Sequence, residues 1–87
     1  MQTTISENVA KILEEINSSN PMFKHLICLN QTQTAQALGV SSTTLINLRR
    51  DGLGPEYVKV ARGKRGRVLY PKTSIAEWLS RSTIKTM

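Results

Sequence analysis

Ile5, Val9, Ile12, Leu13 and Ile16 recur at intervals of about one helical turn. At about 100° per residue they form one narrow apolar stripe, the mark of an amphipathic helix. Thr4 followed by Glu7 reads as a capping box at its start. Asn17 to Asn20 and then Pro21 close it, so a helix is predicted over residues 3–20. The stripe needs a cover. It packs on the rest of the domain or, in a sharper reading, on a second copy of the chain.

Leu26 to Leu29 is a short apolar run, either a strand or an extended entry into the next helix. Asn30 with Gln33 is a second cap signature and predicts a helix from Gln31 to Leu38, stopped at Gly39. Ser41 caps a further helix from Ser42 to Arg50, which Asp51-Gly52 breaks. Gly54-Pro55 marks a loop. Residues 57–61 and 67–70 are rich in valine, leucine and tyrosine and flank Arg62-Gly63-Lys64-Arg65-Gly66. That predicts a β-hairpin over residues 57–70, with a pairing register the sequence does not fix. Pro71 ends its second strand. Thr73 or Ser74 caps a last helix over residues 73–81, through Ile75, Trp78 and Leu79. The tail beyond Arg81 is expected to fray.

Residues 31–50 satisfy the steric logic of a helix-turn-helix. Ala35 is small where the first helix meets the second. Gly39 stands where the turn needs a positive φ. Leu38, Val40, Leu45 and Leu48 supply apolar contacts that fix the crossing. With Leu45 and Leu48 turned inward, Thr43, Ile46, Asn47 and Arg50 lie on the opposite face, the face offered to a major groove. Ser42 lies near the helix start, where such helices approach base edges or phosphates. Asparagine can bond adenine in a bidentate way, and arginine can do so to guanine. Thr43 can bond a base or touch a thymine methyl, and Ile46 can make an apolar contact. The alternative for Thr43 and Asn47 is ordinary solvated surface; for Ile46 it is packing on the N-terminal helix. The Arg49 stem covers apolar surface at the core flank while its charge meets a phosphate.

Charge sharpens the picture. Lysine and arginine number 12 against 6 acids, a formal net charge of +6. Residues 49–70 alone carry Arg49, Arg50, Lys59, Arg62, Lys64, Arg65 and Arg67 against Asp51 and Glu56, a net +5. Such concentration is the footprint of a polyanion site. A hairpin tip projects, so Arg62, Lys64, Arg65 and Arg67 can reach phosphates or a minor groove beside the recognition helix. Without the preceding helix-turn-helix, the same run would read as solvated charge. Lys59 and Lys72 are further phosphate-contact candidates.

The remaining composition mostly excludes. The 87 residues make one domain, and 39% hydrophobic with 21% charged residues fits a globular chain. Cys28 is the only cysteine, so an internal disulfide is ruled out, and a reducing cytoplasm is the expected compartment. Polar residues follow Met1, with no basic-then-apolar leader. No apolar run approaches the ~20 residues of a membrane span. Charge would permit membrane-surface binding, but no basic amphipathic helix accompanies it. His25 is the only histidine, and it and Cys28 have neither further ligands nor an orienting partner. They are read as a boundary residue and a buried small apolar residue. No enzyme activity, metal or cofactor is therefore expected.

Taken together, the residues resemble the excisionase and AlpA-like helix-turn-helix family. The resemblance rests on Asn30, Gln33 and Ala35, then Leu38-Gly39-Val40-Ser41, then Thr44, Leu45, Leu48, Arg50 and Gly52. It continues through Pro55, Lys59, Gly63 to Arg67, Tyr70 and Trp78-Leu79, and covers about residues 28–80. Gln33 and Thr34 stand where the family commonly has glutamate and alanine. Ser42 and Asn47 stand where it often has arginines, which implies weaker direct base readout or a different target. The N-terminal helix lies outside the resemblance.

The resemblance implies a mainly α fold with a small β-hairpin, a MerR-like winged helix-turn-helix, here with an extra N-terminal helix. It also implies a phage or mobile-element protein that binds duplex DNA in the cytoplasm of a bacterial host, associated with the nucleoid. Its job would be that of an excisionase that directs an integrase, or of a transcriptional regulator acting on RNA polymerase. One wing and one short helix bury little surface, so a homodimer or cooperative assembly on DNA is compatible with the sequence. Two alternatives remain. One is a phage DNA-packaging subunit, which usually has additional assembly regions. The other is a protein-interaction module without DNA binding, which would call for a neutral wing.

Overall fold

The computed structural model of the chain describes residues 4–60 and 67–82. Its elements are α1 (Thr4–Ser19), a 3-10 turn (Pro21–His25), β1 (Cys28–Asn30), α2 (Gln31–Leu38), α3 (Ser42–Arg50), β2 (Val58–Lys59), β3 (Val68–Pro71) and α4 (Lys72–Ser82). The strands form one antiparallel sheet in the order β1-β3-β2. The architecture is mainly helical with a small sheet, a winged helix-turn-helix preceded by one additional helix.

The apolar run before α2 is a strand. Cys28, Leu29 and Asn30 pair with Pro71, Tyr70 and Leu69. The hairpin register is Val58 to Leu69 and Lys59 to Val68, and the Val60 N–H donates to the Arg67 carbonyl at 2.9 Å. Side chains alternate across β3. Tyr70 therefore faces inward and is fully buried beside Leu29, while its neighbour Leu69 is only half-buried.

The core gathers Ile16, Phe23, Leu29, Leu45, Tyr70 and Ile75, with Ala35 and Ala76 where elements approach closely. Val9, Ile12 and Leu13 pack against it beside Ile16, so the stripe of α1 is covered within the chain, chiefly by α4. The Ile5 side chain and the proposed Thr4–Glu7 box fall outside what is described. The 3-10 turn was not legible in the sequence. Asn20 Oδ1 accepts from the Met22 N–H at 3.0 Å, Pro21 opens the turn, and Phe23 drops into the core.

Three expectations about burial and capping are not met. Val40 is exposed: its N–H turns back to the Ala35 carbonyl after the left-handed Gly39, leaving its side chain at the surface. Cys28 is half-buried, not buried. Helix α4 begins at Lys72, so Thr73 and Ser74 lie within its first turn and do not cap it.

Candidate nucleic-acid interface

Local chemistry sets the two helices of the interface. Asn30 Oδ1 accepts from the Gln33 N–H at 2.7 Å, and Gln33 Oε1 accepts from the Asn30 N–H at 2.9 Å, a complete capping box on α2. At the other end Gly39 adopts φ 78°, and its N–H and that of Val40 both donate to the Ala35 carbonyl. This ending reverses the chain in a tight turn. Ser41 Oγ then accepts from the Thr44 N–H at 3.1 Å and starts α3. Leu45 is fully buried, which fixes the rotation of α3.

That rotation leaves Thr43, Asn47 and Arg50 exposed on one face, with Ser42 and Ile46 half-buried at its margins. Thr44 is also exposed, but its hydroxyl accepts from Ser41 at the cap. Helix α3 ends at Arg50 with Asp51 as its C-cap, and Gly52 turns the chain at φ 71°. The loop then presses on the helix: a Cβ at Gly54 would stand 3.2 Å from the Leu48 Cβ. The Trp78 indole N–H donates to the Leu53 carbonyl at 2.8 Å, so α4 holds the loop that leaves the recognition helix.

Of the other predicted contacts, Lys59 is exposed on β2 and Arg67 is exposed immediately before β3. Arg62, Lys64 and Arg65 lie outside the described residues. Lys72 stands apart from this face. Its ammonium donates to Asn17 Oδ1 at 2.6 Å and to the Phe23 carbonyl at 2.8 Å, joining α4 to α1 and the 3-10 turn.

Arg49 is half-buried, and its Nη1 donates to Gln31 Oε1 at 2.9 Å and to the Tyr70 hydroxyl at 3.0 Å. Its guanidinium also lies over the Tyr57 ring, 5.8 Å from the centroid. Beside it, a groove between the start of α2 and the wing base is lined by Gln31, Thr32, Arg49 and Arg67. Sequence reasoning missed Gln31, Tyr57 and Tyr70 as the partners of Arg49. They lie apart from it along the chain, and no local spacing signals such contacts.

Among the described residues, no group of three or more histidine, cysteine or acidic side chains could hold a metal ion. Nor is any described helix long and apolar enough to cross a membrane.

A surface of this kind, a capped helix pair with an exposed polar recognition face beside a cation-bearing hairpin, defines the winged helix-turn-helix class. A family model described as a helix-turn-helix domain matches residues 28–83, more than half of the chain. The chain belongs to that family, which includes excisionase and AlpA-like proteins and whose helix-turn-helix is a DNA-binding module. No curated protein and no solved structure matched it.

Proposed function

We propose that this chain is a sequence-preferring, non-catalytic duplex DNA-binding protein of the excisionase or AlpA type. It acts in the cytoplasm of a bacterial host as a recombination directionality factor or transcriptional regulator of a prophage or other mobile element. The observation that carries this reading is the exposed face of Thr43, Asn47 and Arg50 on a helix whose opposite side is locked by Leu45. These side chains have the chemistry to read base edges. The neighbouring hairpin carries the cations that would hold the backbone. Integrase and RNA polymerase are the partners such a factor would meet on DNA, singly or through cooperative assembly of several copies. The MerR-like subtype rests on the order of elements: a helix-turn-helix, a two-strand wing and a closing helix.

Replacing Asn47 or Arg50 with alanine tests the reading. Each change should alter the ranking of duplex sites, at ~1–3 kcal/mol for each bidentate base pairing removed. Equal weakening on every duplex would assign these residues to phosphates and remove the claim of sequence preference.

A further inference from the structure

The recognition helix and the wing are joined by a loop, residues 51–57, that turns at Gly52 and crosses α3 at Gly54. The loop is tethered to the helix end by the Leu53 N–H on the Leu48 carbonyl and to α4 by Trp78. Beyond Pro55 the chain enters β2, a two-residue strand at the sheet edge. Such a short edge strand is a weak determinant of the angle at which a hairpin leaves a domain.

One side chain bridges the gap. Arg49, in the last turn of α3, reaches the start of α2 through Gln31, the middle of β3 through Tyr70, and the lead into β2 through Tyr57. Tyr70 and Tyr57 are themselves in contact, with ring centroids 6.0 Å apart and planes tilted by 53°. Tyr70 is fully buried, so its hydroxyl sits at a fixed point of the core. A planar guanidinium suits this geometry, because its donors lie in a fixed fork while its face meets a ring at cation–π distance. An ammonium lacks the fixed fork of donors.

We propose that Arg49 is a positioning residue that sets the wing's angle to the recognition helix, and that its task is this brace and not a phosphate contact. The inference rests on the DNA-binding reading above. A helix in the major groove and a wing on the backbone must engage the same duplex together. Their joint affinity therefore depends on how well their relative placement is preset.

The test uses four variants of the full chain: Arg49→Lys, Arg49→Gln, Tyr70→Phe and the double variant Arg49→Lys with Tyr70→Phe. Duplex affinity is read over a range of salt. Arg49→Lys keeps the charge and Tyr70→Phe removes only an uncharged hydroxyl, so the slope of log affinity against log salt should stay that of the unsubstituted protein. Affinity should fall roughly tenfold in each, and the double variant should fall no further than either single, as for two partners in one interaction. If both single variants bind like the unsubstituted chain, the brace is wrong. It is equally wrong if Arg49→Gln lowers the salt slope by about one phosphate's worth while Tyr70→Phe changes nothing. If the unsubstituted chain binds no duplex, the DNA-binding reading fails instead. Hydrogen exchange of the Val60 amide, which closes the hairpin, then decides the brace: faster exchange in Tyr70→Phe supports it, and unchanged exchange overturns it.

Discussion

Thr34 is fully buried in α2, and its Oγ1 finds no hydrogen-bond partner among the described residues. A buried hydroxyl left unpaired costs about 1–3 kcal/mol. Thr34→Val keeps the shape and removes the polar atom, so it should raise stability by about 1 kcal/mol in chemical denaturation. A fall would show that the hydroxyl has a partner. Gly39 makes the opposite case. No described residue lies within 4 Å of a Cβ placed there, yet φ is +78°. Gly39→Ala should therefore cost about 1–2 kcal/mol through backbone conformation alone. Lys72 separates two accounts of one residue. Lys72→Met breaks hydrogen bonds to Asn17 and Phe23 and should lower the thermal midpoint. If instead the midpoint holds and the salt slope of DNA binding drops, Lys72 is a phosphate contact after all.

Among the elements, the wing is the one whose proposed contribution is electrostatic. Replacing Arg62, Lys64 and Arg65 with alanine should weaken binding to all duplexes and flatten the salt dependence, by about 0.9 in slope for each phosphate no longer neutralised. An unchanged slope would remove the wing from the interface. The elements also differ in how far the sequence revealed them. Helices α2 and α3 were legible nearly to the residue, because Asn30, Gln33, Gly39 and Ser41 act on backbone groups within a few positions of themselves. The exposed face of Thr43, Asn47 and Arg50 followed from the same short-range geometry. Strand β1 and the hairpin register were not legible, since strand pairing joins residues such as Leu29 and Tyr70 that are remote in the chain. The 3-10 turn was hidden for another reason: Pro21 reads as a helix stop, and nothing nearby indicates that Phe23 goes inward. The Arg49 cluster depends wholly on tertiary placement.

At the scale of the whole molecule, α1 lies outside the helix-turn-helix match, which begins at residue 28, yet it supplies Ile16 to the common core. Lys72 ties the two regions together. Removing residues 1–20 should therefore destabilise the rest of the chain, which a lower and broader thermal transition would show. A truncated chain with unchanged stability and mass in solution would make α1 dispensable.

The charge is also unevenly distributed, with the +5 stretch at residues 49–70 and acids prominent in α1. A duplex should thus meet the recognition helix and wing first. The central claim is that this surface reads sequence. The most direct test is selection from a pool of random duplex DNA at near-physiological salt, followed by sequencing of the retained fraction. We predict recovery of a short shared motif, bound more tightly than the unselected pool. Retained DNA without a motif would contradict sequence reading and leave a charge-driven architectural role; no retained DNA would contradict DNA binding itself.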